Sequence, residues 1–84
     1  KDAMVPVIQG VYYLRAGQND KAIKSLERAA RLAPENPEVH YNLGLALYKL
    51  EDYERARTHA KKAYQGGYPL PGLRNLLKEA GYPL

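Results

Sequence analysis

The sequence predicts an all-α protein, a short right-handed helical solenoid of two helix-turn-helix repeats closed by a capping helix. Three observations carry this. The first is a step of 34 residues: Gly10 recurs as Gly44, Ala22 as Ala56, Ala29 as Ala63 and Pro37 as Pro71. The second is that apolar and charged positions keep the same step, as in Val11 and Leu45, Leu14 and Tyr48, Leu43 and Leu77, and Arg15 and Lys49. The third is three-four spacing of apolar residues between these marks, the pattern of an amphipathic helix.

Each element has its own signals. The first helix is expected from Met4 to Ala16, stopped by Gly17, which accepts the left-handed conformation a helix end needs. Gln18-Asn19-Asp20 reads as a turn with capping residues, and the second helix as Lys21 to Leu32 with Ala22, Ile23, Leu26, Ala29 and Ala30 on one side. Its Asp20–Lys24 and Glu27–Arg31 pairs are acid-before-base four residues apart, the favourable order. Pro34 stops that helix, Asn36 is a good N-cap, and Pro37 fits the first turn of the next. The third helix is expected from Pro37 to Leu50. The fourth runs from Tyr53 to Gln65, capped by Asp52 and ended by Gly66-Gly67; the fifth runs from Pro71 to Ala80 and is closed by Gly81.

Composition narrows the function classes. Eighty-four residues allow one domain, expected over 1–84 with repeats at about 3–36 and 37–70 and a cap at about 71–84. There is no cysteine, hence neither a disulfide framework nor a thiolate metal site. No apolar run approaches the roughly 20 residues that span a bilayer, and the compartment stays open. The chain opens at Lys1 rather than at a methionine and reads as a piece of a longer protein. The formal charge of +4 is spread along the chain. Eight tyrosines with neither phenylalanine nor tryptophan suit surfaces that are part wet and part buried.

The ordered marks resemble the tetratricopeptide repeat family over the whole chain. The first copy supplies Gly10, Tyr13, Ala22, Leu26, Ala29 and Pro34; the second supplies Leu43, Gly44, Leu47, Ala56, Ala60 and Ala63. Tyr41-Asn42-Leu43-Gly44-Leu45-Ala46 is close to the family's usual text. The glycines are expected to admit the partner helix, Gly10 beside Ala22 and Gly44 beside Ala56. There are departures. Gln9 stands where leucine is preferred, Leu26 and Ala60 where an aromatic is, Tyr68 where proline is, and Glu51 where the first copy has Gly17. The last helix starts like a third copy, then has Lys78 at the packing glycine, as a polar-faced cap would. Gly67-Tyr68-Pro69-Leu70 and Gly81-Tyr82-Pro83-Leu84 bracket it and read as turns with apolar anchors.

An enzyme is not expected. Ser25 is the only serine and has no histidine in register; Glu51, Asp52 and Glu54 sit where negative charge complements a helix dipole. His40 and His59 lie on different helices without a third ligand of obvious spacing, and read as helix-packing or surface residues. Neither metal nor cofactor is expected.

The resemblance implies a protein-interaction scaffold or adaptor that takes a peptide or helix in a concave groove lined by first helices. Carried over residue by residue, the lining is Val7, Val11, Leu14 and Arg15, then Tyr41, Asn42, Leu45, Tyr48 and Lys49, then Asn75 and Glu79. Asn42 matches the family's groove asparagine. Some members clamp a C-terminal carboxylate with lysine and asparagine; here Val7, Val11 and Gly72 hold those positions, which puts that mode of recognition aside. A second reading is self-association through the first helix, which Met4, Val5, Val7, Ile8, Val11, Tyr12 and Leu14 surround. A third is nucleic-acid contact through Lys21, Lys24, Arg28 and Arg31 on the second helix and Arg55, Arg57, Lys61 and Lys62 on the fourth. A solvated outer face accounts for these as well.

Overall fold

A computed structural model describes residues 3–84; Lys1 and Asp2, where the expected single domain opens, lie outside them. Five helices follow in order: α1 (Met4–Arg15), α2 (Asn19–Leu32), α3 (Pro37–Lys49), α4 (Tyr53–Gln65) and α5 (Gly72–Glu79). No strand occurs among the described residues. The α1–α2 and α3–α4 pairs pack as hairpins, α2 packs on α3, and α5 lies against both α3 and α4. The chain is an all-α helical repeat.

Four of the five helices stop in the same way. After α1 the Gly17 amide bonds back to the Leu14 carbonyl and the Gln18 amide to that of Tyr13. The same pair of bonds recurs at Glu51 and Asp52, at Gly67 and Tyr68, and at Gly81 and Tyr82. This double back-bonding needs a left-handed residue just past the helix. Gly17, Gly67 and Gly81 provide it at φ of 77°, 90° and 92°, and Glu51 is forced into it at 63°. A side chain with a Cβ pays a steric penalty there. Glu51→Gly is therefore expected to stabilise the fold by about 0.5–1 kcal/mol, read as a higher urea midpoint at unchanged slope. A lower midpoint would show that the Glu51 side chain holds the turn. Helix α2 ends differently, before Pro34, which cannot donate to a continued helix.

Starts follow the expected chemistry in α3 and α4. The Asn36 side chain accepts the Glu38 amide at 2.9 Å, with Pro37 in the first turn, and Asp52 accepts the Arg55 amide at 3.4 Å. Helix α2 begins two residues earlier than expected. Asn19 and Asp20 are in its first turn and Gln18 stands at the cap without a side-chain bond, so the Schellman turn of α1 leads almost directly into α2.

The main core cluster joins Ala22, Leu26, Leu43, Ala46, Leu47, Ala56, Ala60, Ala63, Leu73 and Leu77; a smaller one joins Val7, Ala29 and Val39. Both recurring glycines are sites of close approach, but not against the same groups. At Gly10 the nearest group is the Leu26 side chain: a Cβ there would lie 2.5 Å from Leu26 Cγ. The family's aromatic position, filled here by leucine, projects its branched end over the glycine. At Gly44 the expected backbone approach is present, with Ala56 O 3.3 Å from a built Cβ. Leu73 of α5 also descends to 2.6 Å, so the cap helix is keyed into the same notch.

Candidate functional site

Helices α1, α3 and α5 form one layer, with α3 touching both others, while α2 and α4 form a second layer in which the two helices make no comparable contact. The first helices thus lie closer to one another than the second helices do, on the α1–α3–α5 side. This is where the expected groove residues fall. Val11, Leu14, Leu45 and Tyr48 are half-buried along it, and Arg15, Lys49, Asn75 and Glu79 are exposed at its margins. Asn42 is half-buried, and its amide nitrogen donates to the Glu38 carbonyl of its own helix at 3.0 Å.

Two of the named residues lie beneath this face rather than on it. Val7 is 4% exposed, in the cluster with Ala29 and Val39. Tyr41 is 8% exposed, its ring stacked on Tyr68 at 4.1 Å between centroids and edge-on to Tyr64 at 6.3 Å. The reason is the turn after α4. Gly67 sends the chain back so that Tyr68 covers Tyr41, and Gly72 comes so close that a Cβ on it would lie 2.9 Å from the Tyr41 hydroxyl. The sequence signal for this was the departure at Tyr68 from the expected proline.

The doubled tetrapeptide makes the same turn twice. Tyr68 packs on Tyr41, and Tyr82 packs on Tyr53 at 5.2 Å, itself against Tyr48 at 5.5 Å. A guanidinium sits near each turn: Arg74 lies 4.3 Å from the Tyr64 ring centre and Arg57 5.4 Å from that of Tyr82. The Tyr64 hydroxyl donates to the Leu70 carbonyl at 2.7 Å and accepts the Arg74 amide. Burial pushes the Tyr64 and Tyr68 phenols above their ordinary value, so both stay neutral. Tyr53 and Tyr64 are thus packing residues.

On the outer layer several basic side chains already have partners. Arg55 bonds Glu27 of α2 at 3.0 Å and lies 3.6 Å from Asp52, Arg57 pairs with Glu54 at 3.3 Å, and Arg28 donates to Gln9 of α1 at 2.8 Å. Glu27 therefore reaches across to α4 rather than along its own helix to Arg31. These pairs are substantially exposed and each is worth about 0–1 kcal/mol.

His40 and His59 meet between α3 and α4. Their Nδ1 atoms are 3.0 Å apart, and His40 Nε2 is 2.6 Å from the Pro34 carbonyl. With ring centres 5.2 Å apart, the two nitrogens lie between the rings, so the contact is an in-plane hydrogen bond rather than face-to-face stacking. The Pro34 carbonyl can only accept, so His40 carries its proton on Nε2 and His59 donates from Nδ1 to the bare His40 Nδ1. Burial lowers the His59 pKa to about 4, with the neighbouring His40, Lys62 and Arg55 adding to the effect. A cavity of about 350 Å³ adjoins the pair, bounded by Pro34, Glu35, Lys62, Gln65 and Gly66. Among the described residues no group of three or more histidines, cysteines or carboxylates could hold a metal ion. No helix among them is long and apolar enough to cross a membrane.

Comparison with known proteins agrees with this architecture. A tetratricopeptide repeat family model matches residues 9–70. The chain is similar to DnaJ homolog subfamily C member 3 of Gallus gallus, 30% identical over 61 residues, which is 73% of this chain and 12% of that protein's length. No solved structure matches. The family is in general one of non-catalytic scaffolds that bind other proteins. With two helical hairpins at a 34-residue step and a family match across most of its length, the chain belongs to the tetratricopeptide repeat family.

Proposed function

We propose that this chain is a non-catalytic adaptor module that binds an amphipathic helix or apolar peptide on the face made by α1, α3 and α5. The observation that supports this most is the placement of Val11, Leu14, Leu45 and Tyr48. They are half-exposed on neighbouring first helices and flanked by two cations, Arg15 and Lys49, with the one anion of the margin, Glu79, on α5. Apolar side chains supply affinity when a helix lays its apolar face into such a surface, and a basic margin selects a ligand with acidic flanks. The two anchors we assign are Leu45 and Tyr48. Tyr41 and Val7 act from behind by holding the helices in register.

A peptide library displayed on phage and selected against the folded chain tests the reading. Selected peptides are expected to carry apolar residues at helical spacing with Asp or Glu beside them. Leu45→Glu with Tyr48→Ala is expected to lower their affinity at least about a hundredfold while the far-ultraviolet helical signal persists. Retained binding by the folded double variant would place the site elsewhere. Nucleic-acid contact is the weaker reading, because Arg28, Arg55 and Arg57 are already engaged within the fold.

A further inference from the structure

The exposed side of α1 carries a second apolar stripe, which borders the groove at Ile8, the repeat counterpart of Asn42. Val5, Ile8 and Tyr12 are 52%, 62% and 66% exposed and lie one turn apart along one stripe. The only charged residue in the whole helix is Arg15, in its last turn. The 34-residue step shows what the same positions do elsewhere. Val39 and Leu73, the counterparts of Val5, are fully buried, Val39 against Ala29 of α2 and Leu73 over Gly44.

Two departures show that the α1 surface is not simply one more seat for a repeat. Leu43 and Leu77 are core residues, whereas Gln9 at that position is polar and holds Arg28. Ala46 is fully buried in the cluster that includes Ala22 and Leu26 of α2, whereas its counterpart is Tyr12. A helix seated on α1 as closely as α2 sits on α3 would run into the Tyr12 ring. The stripe instead has a form that complements itself. Two α1 helices crossing antiparallel put Ile8 against Ile8 near a two-fold axis, with Tyr12 of each over the smaller Val5 of the other. Arg15, one turn beyond Tyr12, bounds the stripe at its C-terminal end, and the helix dipoles oppose favourably.

We propose that the α1 stripe pairs two copies of this chain into a symmetric dimer. The stripe exposes roughly 350 Å² per copy, at the level of the largest apolar patch of a typical monomer. A standard interface buries about 800 Å² per partner, so the pairing is weak and reversible, with dissociation in the micromolar range or above. Each copy carries a formal +4 charge, so added salt strengthens the dimer by screening repulsion.

Sedimentation equilibrium over a concentration series up to about 1 mM tests this. The chain is expected to show a concentration-dependent dimer, Ile8→Glu to weaken it at least about tenfold, and Leu70→Glu, at an equally exposed leucine on another surface, to leave it unchanged. The chain has no cysteine, so Ile8→Cys supplies a second readout. Oxidation should link two copies through residue 8 far faster than it links Leu70→Cys. A chain that stays monomeric throughout overturns the proposal, as does a dimer that Ile8→Glu leaves intact. The groove reading is separable at Val5, which lies on the far side of the stripe from Val11 and Leu14: Val5→Glu should weaken the dimer as Ile8→Glu does, while a groove-selected peptide should bind Val5→Glu as it binds the unchanged chain.

Discussion

Leu26→Ala is expected to destabilise the protein by about 2–5 kcal/mol, a large part of the total available to a domain of this size. Leu26 is fully buried and its branched end lies over Gly10. The informative result is the response of Gly10 in the two backgrounds. In the unchanged chain Gly10→Ala drives a Cβ to within 2.5 Å of Leu26 Cγ, a clash that costs about 1–3 kcal/mol in a packed site. With Leu26→Ala that space is vacant, and the same Gly10→Ala change should gain up to about 1 kcal/mol from helix propensity. Urea melts of the four proteins, in a stabilising osmolyte so that the weakest remains folded, read the reversal of sign directly. A Gly10→Ala effect equal in both backgrounds would show that the glycine answers to something other than Leu26.

The second large effect is on pH dependence. The folded state holds the His59 pKa near 4, below the ordinary 6.5, chiefly because the ring is buried, with His40, Lys62 and Arg55 adding positive or competing partners. Unfolded chains take up the proton first as pH falls. The stabilisation is therefore complete above about pH 6.5 and is lost progressively between there and pH 4. Solvent reaches part of the ring, which reduces the full effect to roughly 1–2 kcal/mol. His59→Asn has a lower stability at pH 7, because the bond to His40 is gone, but is expected to lack this slope. Stability measured from pH 7 to pH 4.5 should show the two curves converging as pH falls. Parallel curves would mean that His59 titrates normally in the folded protein.

Much of this architecture was legible because the repeat leaves identities at a fixed step. Pro37, Asn36 and Asp52 act locally through the backbone, so the starts of α3 and α4 follow from the residues alone. The turn at Glu51 follows Gly17 in register even though the residue type changed, because the bonds of the turn are made by backbone amides. Contacts between distant residues were less legible. That the Leu26 side chain comes nearest to Gly10 depends on side-chain reach. That Glu27 bonds Arg55 and not Arg31 depends on how α2 and α4 lie side by side. Tyr41 carries the same apolar-with-polar-tip chemistry as Tyr48, and only the departure at Tyr68 from the expected proline distinguishes the covered ring from the open one. The groove shows the same division: its helices were predictable from the period, while the separation of lining from support required the packing of the turn after α4.

The most direct test of the account is a nuclear magnetic resonance titration of the folded chain, labelled with nitrogen-15, with the tightest peptide selected from the displayed library. Binding on the inner face predicts amide shifts concentrated at Val11, Leu14, Leu45, Tyr48 and Lys49, with α2 and α4 largely unmoved. Shifts concentrated on the basic residues of α2 and α4, or on the Val5–Ile8–Tyr12 stripe with the inner face silent, would contradict it.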